Sequence, residues 1–279
     1  MFDSPLEFFG ACCTICSVYT VLLEQAKRLQ ANDAGKANLS LAALQSAWHI
    51  GYGTCLSTWT WTNCKLAAST AVLYLLNIWM PVLGQVAGID SLTLLLLRAS
   101  SPIFTSWIQP KPTTRRQQGA LVIAALGILC ASIGALENKG SWTGLGILCC
   151  FLGTAAACAL GVEQSRVMKT SGISLGSLLA HMHLLSGVPF VFVLPTIVHW
   201  TWAMPTWLIV SCTLSQWLCS NSIAWINKRC DPVTCQLTLA IRRALCTLLV
   251  AAIYAEQTTT WHVASLVLVS ISSFVYIHG

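Results

Sequence analysis

The sequence predicts an all-α polytopic membrane protein, with ten transmembrane helices arranged as two inverted five-helix repeats. Three observations lead there. The 279-residue chain is 56% apolar and only 9% charged, whereas a soluble domain holds about 25% charged residues, so it lacks the charge to coat a water-facing surface. Its apolar residues gather into runs long enough to lie in lipid. One pattern also occurs twice: LTLLLLRA at Leu92–Ala99 returns as LTLAIRRA at Leu237–Ala244, 145 positions on. Thr93 then matches Thr238, and Arg98 matches Arg243. A Thr-Thr pair follows each of these arginines by fifteen residues, as Thr113-Thr114 and Thr258-Thr259.

A helix that crosses the hydrocarbon core needs about 20 mainly apolar residues. Between charged and Pro/Gly breaks, such runs fall at 6–26, 39–59, 64–86, 89–109, 117–136, 142–165, 174–198, 203–226, 232–254 and 261–277. The first follows Asp3 and holds Glu7, where a cleaved leader would carry Lys or Arg, so it is read as a retained span. The second opens at Asn38-Leu39-Ser40, a glycosylation sequon too close to the span to be used. The third starts beside Lys65, the fourth carries the repeated pattern, and the fifth follows Arg115-Arg116. The sixth ends GVEQSRV, so Glu163-Gln164 answers Glu24-Gln25 of the first span, 139 positions on. The seventh contains His181 and His183, the eighth Gln216, the ninth the second copy of the pattern, and the tenth follows Thr258-Thr259. The runs are continuous and lack the alternation of an outer-membrane barrel.

Span one thus answers span six, four answers nine, and five answers ten. The unit is five helices, which divides the chain at 1–140 and 141–279 within one membrane domain. An odd number of crossings makes the second copy enter from the opposite side, and inverted repeats around a midplane site are a recurrent plan of secondary transporters. With cytosolic termini, the cytosolic loops hold Lys65, Lys111, Arg115, Arg116, Arg166, Lys169, Lys228 and Arg229. The other side holds only Lys27, Arg28, Lys36 and Lys139. That excess sets the orientation. The net charge of +6 forms no basic patch interleaved with exposed aromatics, which argues against a nucleic-acid polymer as partner. The partner surface is the lipid bilayer, and a homodimer is compatible with it.

Three cations remain inside spans: Arg98, Arg242 and Arg243. Each costs about 2.5–3.5 kcal/mol at a span centre, so each is expected to face protein or a water-filled cavity; the alternative is snorkelling to the interface. Arg242 and Arg243 point about 100° apart on a helix. The expectation is that Arg98 and Arg243 share one cavity while Arg242 packs on a neighbouring helix, with the reverse assignment open. Guanidiniums from both halves make a host for an anion, a diphosphate above all, because their forked donors match phosphate oxygens. Thr93, Thr234 and Thr238 would add hydroxyl donors or bond back to their own helices. Gln45, Gln164 and Gln216 lie at apolar depth, where they would read a base or sugar or bond a neighbouring helix. His181 and His183 are read first as satisfied bundle histidines. Glu24 and Glu163 are interfacial charges or countercharges for an emptied arginine cavity.

No cofactor or metal is expected. Of the 14 cysteines, Cys12, Cys13, Cys16, Cys149, Cys150, Cys158, Cys212, Cys219 and Cys246 lie in apolar runs and read as small buried hydrophobes. Cys13-Thr14-Ile15-Cys16 has CxxC spacing but no matching pair beside it. Asp90 and Asp231 sit at span starts on opposite sides, so no acidic cluster supplies the base or metal site of an enzyme. An intramembrane enzyme acting on a lipid-linked phosphate, a transporter of another phosphorylated organic anion, and a non-transporting scaffold are the competing classes.

At these residues the chain resembles the nucleotide-sugar transporters within the drug/metabolite transporter superfamily, most of all the branch that carries UDP-N-acetylglucosamine and UDP-xylose. The matching pieces are FFGACC at Phe8–Cys13, Gln45 in LAALQS and Arg98 in LLRASS. They continue with GVEQSRVMKTSG at Gly161–Gly172, QWLC at Gln216–Cys219, the run from Cys230 through Arg243, and TTTWH at Thr258–His262. His183 matches with one residue inserted before it. The resemblance implies ten helices, cytosolic termini, a Golgi or endoplasmic-reticulum membrane, and exchange of a cytosolic UDP-sugar for lumenal UMP. Carried over, Arg98 and the Arg242-Arg243 pair would hold the phosphates.

Overall fold

The computed structural model describes residues 17–26, 40, 42–51, 60–108, 114–137, 143–195, 198–199, 204–229, 232–254 and 259–278. The CxxC at Cys13–Cys16, Asn38 and Leu39 of the sequon, and the basic residues Lys27, Arg28, Lys36, Lys111 and Lys139 lie outside the described residues. Among the described residues the regular structure is helical and no strand occurs. Helical residues 17–26 (α1) and 42–51 (α2) are followed by α3 (Trp61–Val86), α4 (Ser91–Arg98), α5 (Ser101–Ile108) and α6 (Arg115–Glu137). Then come α7 (Thr143–Ser171), α8 (Leu175–Gly187), a 3₁₀ segment (Val188–Val193), α9 (Thr206–Arg229), α10 (Pro232–Tyr254) and α11 (Thr260–His278).

The helix starts are written in the sequence. Thr60, Asp90 and Ser174 each accept from the backbone N–H three residues on, at Asn63, Thr93 and Ser177, which satisfies an orphan donor of the first turn. The repeated Thr-Thr pairs serve the same end. Thr114 and Gln117 form a reciprocal capping box on α6, with the Gln117 N–H on the Thr114 hydroxyl at 3.2 Å and the Thr114 N–H on Gln117 Oε1 at 3.1 Å. Thr259 and His262 do the same for α11, at 3.4 and 3.2 Å, with the imidazole Nδ1 as the side-chain acceptor. At the other ends, Gly172 with φ +67° closes α7, and Gly88 with φ +95° turns the chain out of α3; glycine adopts that conformation without steric cost.

Two expected spans differ in form. The fourth, read as one helix over 89–109, is broken: α4 stops at Arg98 and α5 starts at Ser101. Pro102 is the cause, because a proline inside a helix removes the N–H that would reach the carbonyl four residues back and its ring crowds that carbonyl. The seventh tightens into a 3₁₀ segment over Val188–Val193, with a proline at its start. Pro81 also lies inside α3, which nevertheless continues.

Among the described residues, four helical stretches are long and apolar enough to cross a membrane: Trp61–Val86, Arg115–Ile133, Gly144–Ser171 and Leu175–Phe192. Their outward residues are large and apolar at helical spacing, as with Val72, Leu76 and Leu83 on α3, Val122, Leu126 and Leu129 on α6, and Leu145, Leu148 and Leu152 on α7. Inward positions are small or polar, including Ala67, Thr70, Ala71, Ser101, Thr105, Thr154 and Cys158. This inside-out pattern is that of a helix bundle in lipid, where small residues let backbones approach. The α3–α7 contact is tightest: a Cβ added to Gly153 would lie 2.6 Å from the Pro81 ring, and one on Gly84 would lie 3.0 Å from the Gly146 carbonyl. α6 packs on α11, α3 also packs on α8, and α4 and α5 pack on α10. α9 packs on α1 through Leu208 and Cys212 against Leu22 and Ala26.

Candidate functional site

A cavity of about 300 Å³ is lined by residues of α1, α2, α3, α4, α7, α8, α9 and α10. Its lining contains Arg98 from α4 and both Arg242 and Arg243 from α10. No ion pair joins any of the three guanidiniums to a carboxylate among the described residues. Glu24 lines the same cavity and is buried, whereas Glu163, its counterpart in the sixth span, is bound by Arg166 at 2.6 Å and by the Ser69 hydroxyl at 2.7 Å. The two glutamates thus occupy different places.

The arginines are held by backbone oxygens that prolines leave open. Pro81 has no N–H to offer Asn77 four residues back, and Arg98 Nη2 donates to that Asn77 carbonyl at 3.2 Å as well as to Asn77 Oδ1. Pro102 has none to offer Arg98, and Arg243 Nη1 donates to the Arg98 carbonyl and, at 2.7 Å, to the Ser101 hydroxyl. A buried carbonyl without a donor costs about 1–3 kcal/mol, so each guanidinium removes a penalty that a proline creates. The result is a chain of support running from α10 through α4 to α3.

Arg242 differs. Its Nη1 lies 3.3 Å from Cys219 Sγ, and its Nε is buried without a partner, as is Arg98 Nε. The expected division, with Arg243 in the cavity and Arg242 packed away from it, does not describe the structure: both line the cavity and both touch a neighbouring helix, Arg242 through the Cys219 sulfur of α9 and Arg243 through the Arg98 carbonyl and the Ser101 hydroxyl. The side chains diverge by about 100°, yet a cavity that wraps α10 receives both.

Gln45, Gln164, Gln216 and His183 also line this cavity. Gln45 Nε2 donates to the Ser220 hydroxyl at 2.5 Å, Gln164 Nε2 lies 3.6 Å from Met182 Sδ, and Gln216 Oε1 is buried without a partner. His183 is not fully satisfied: Nδ1 lies 3.1 Å from the Ser46 hydroxyl, while the ring stacks on His49 at 4.3 Å and meets the Tyr74 ring edge-on at 4.6 Å. His183 Nε2 has no partner and is buried. His181 instead bonds within its helix, with Nδ1 2.7 Å from the Ser177 carbonyl, and accepts from the Thr60 N–H at 3.4 Å.

Thr93 stands apart from the cavity lining. Its hydroxyl donates to Asp90 at 3.1 Å and lies 3.1 Å from His262 Nε2, so it ties the start of α4 to α11. The side chains of Thr234 and Thr238 lie outside the described residues. Residues the sequence reading missed are Asn77, Tyr19, Tyr74 and Gln236, all of which line the cavity. Gln236 satisfied the rule that picked out Gln45, a glutamine at apolar depth. Asn77 carried a subtler sign, its place four residues before a proline, which Arg98 shares.

A helical bundle with lipid-facing apolar stripes and a cationic interior cavity defines a multi-pass membrane protein that handles an anion. The chain matches the UAA transporter family over residues 7–279 and belongs to that family, whose members are nucleotide-sugar transporters rather than enzymes. Comparison with curated proteins finds no match. A solved structure described as "Crystal structure of protein" superposes with a TM-score of 0.64 at 11% identity, over 96% of each chain; at that identity the likeness concerns the fold alone.

Proposed function

We propose that this transporter is an antiporter, exchanging a cytosolic UDP-sugar, UDP-N-acetylglucosamine or UDP-xylose, for lumenal UMP by alternating access in a Golgi or endoplasmic-reticulum membrane. The observation that carries this reading is the set of three guanidiniums around one cavity, drawn from the two matching spans and unpaired with carboxylates among the described residues. About 300 Å³ is the lower end of the range for small-molecule pockets. Arg98 and Arg242 grip the phosphates, and Arg243 contributes its Nε–Nη2 edge while Nη1 holds the backbone. Gln45, Gln164, Gln216 and His183 read the base and sugar. Empty, the clustered positive charges oppose closure, so the return step needs UMP; exchange then requires no ion gradient.

The architecture that serves this cycle is ten crossings, in two inverted repeats at 1–140 and 141–279, with both termini cytosolic. The pattern of helix neighbours supports it. Span three (α3) packs on spans six (α7) and seven (α8). Span eight (α9) packs on span one (α1) and touches span two (α2), with Ser220 on Gln45 and Trp217 against Trp48. Exchanging the halves maps the first set onto the second. Spans four and nine meet each other, as do five and ten, contacts that exchanging the halves maps onto themselves.

Counterflow in proteoliposomes tests the function. Vesicles loaded with UMP should take up labelled UDP-N-acetylglucosamine or UDP-xylose faster than empty vesicles, and GDP- and CMP-sugars should not be stimulated. Uptake indifferent to internal UMP would sink the exchange reading, and preference for a simple phosphorylated sugar would move the cargo to that class.

A further inference from the structure

A guanidinium grips phosphate through two parallel donors. Two such pairs exist, Nε with Nη2 and Nη1 with Nη2, and both include Nη2. In this structure Arg98 Nη2 is taken by two acceptors on one residue, the carbonyl and Oδ1 of Asn77. Both forks of Arg98 are therefore closed, while its Nε is buried with no partner. Arg243 is placed differently: Nη1 serves Arg98 and Ser101, which leaves its Nε–Nη2 fork unengaged by the described residues.

We propose that Asn77 is an internal competitor for the transported anion: it occupies Nη2, the one nitrogen of Arg98 that either bidentate grip needs, and the anion must displace it to form that grip. The proposal rests on the reading of Arg98 as a phosphate-binding residue. Pro81 makes the device work, because it frees the Asn77 carbonyl to act as the second acceptor. The chemistry of the competitor also fits. A carboxylate at this position would hold Arg98 in a charge-assisted pair that a phosphate displaces with difficulty, whereas an amide and a carbonyl are neutral acceptors that an anion outcompetes. On release, re-formation of the Asn77 contacts restores part of what Arg98 loses, and the site lets go. Asn77 is thus a positioning residue that sets affinity and release without being a favourable contact to the anion.

The sign of one measurement separates this from an ordinary role. In purified full-length protein, Asn77→Ala should bind anions more tightly, by about 2- to 10-fold, the value of one net hydrogen bond. Equilibrium binding is read with two probes in parallel, inorganic pyrophosphate and UMP. Loss of the competitor tightens both, and counterflow at saturating substrate slows. Unchanged or weaker pyrophosphate binding by the folded variant would overturn the proposal, since a residue that contacts the anion or only braces α3 cannot give tighter binding when truncated. Should Asn77→Ala fail to fold, Pro81→Ala returns an N–H to the Asn77 carbonyl and should tighten pyrophosphate binding in the same direction; no tightening there counts equally against it. The nucleotide reading is judged separately. Wild-type protein that binds UMP no better than pyrophosphate refutes that reading, whatever the variants do.

Discussion

Spans four and nine begin from the same pattern and end in different structures. Four residues after Arg98 stands Pro102; four residues after Arg243 stands Thr247. In the first span the helix stops at Arg98 and resumes at Ser101. In the ninth, α10 runs unbroken from Pro232 to Tyr254, and the Thr247 hydroxyl adds a 2.9 Å bond to the Arg243 carbonyl. One residue type at one matched position decides whether the arginine's own carbonyl is satisfied at home or must be served from elsewhere. Because it is open in span four and closed in span nine, the guanidinium of Arg243 can reach across to Arg98, while nothing requires the reverse. Duplicated residues have thus acquired unequal work. Arg243 braces the break, and Arg98 and Arg242 keep buried Nε groups without partners.

The comparison is broken most forcefully by making span nine resemble span four. Thr247→Pro removes the N–H opposite the Arg243 carbonyl and its ring crowds the turn, for a cost of about 3 kcal/mol or more. Thermal unfolding of the purified protein in detergent should move down markedly. An unmoved transition would mean that a proline at this position does not distinguish the two spans.

Next in size is the division between adjacent arginines. Arg242→Ala gives up a group with no strong bond to protein, so stability should hold while UMP affinity falls about 10- to 150-fold, as for loss of a charge-assisted contact of about 1.5–3 kcal/mol. Arg243→Ala should instead lower stability by about 1–3 kcal/mol, because the Arg98 carbonyl is left without a donor. Measuring affinity and unfolding on both variants checks the split, and equal stability losses would erase it.

What the sequence made legible follows from which forces are local. Hydropathy, charge and cap residues act within a few positions, so the apolar runs, the helix starts at Thr60, Asp90 and Thr114, and the arginines as cavity residues could all be read along the chain. The break in span four was legible too, since Pro102 was in view, but it lay inside a continuous apolar run and was counted as helix. The roles of Asn77, Arg242 and Arg243 were not legible, because they depend on which guanidinium meets which proline-freed carbonyl across two helices. Periodicity gives the angle between neighbouring side chains, and it cannot give the width of the cavity that receives them.

The caps sharpen the same contrast at smaller scale. Thr114→Ala and Thr259→Ala each remove a first-turn acceptor worth about 0.5–2 kcal/mol. Thr259→Ala should cost more of that range, because His262, whose Nδ1 it holds at 3.0 Å, also reaches Thr93 at the start of α4. Gln117, the matching partner of Thr114, is half-buried and bonded to Thr114. Equal losses in unfolding free energy would show that the His262–Thr93 contact adds nothing.

The smallest expected effect is the most specific, since it isolates the bond between the two spans. Arg243→Met keeps much of the side chain's length and removes the donor, so its cost includes the Arg98 carbonyl left open by Pro102. Pro102→Ala returns an N–H four residues after Arg98, which lets the helix satisfy that carbonyl itself. The single Pro102→Ala change can shift stability either way, as it also alters the break and the unfolded chain, and its sign carries no weight. The double-mutant cycle does. If Arg243 serves the carbonyl that Pro102 frees, Arg243→Met should cost about 0.5–1.5 kcal/mol less in the Pro102→Ala background than in the natural one, the size of a net hydrogen bond. Such coupling would tie the two matched positions into one device built from an inequality between copies. Strict additivity would mean that the guanidinium and the proline act independently, and the brace across the break would have to be abandoned.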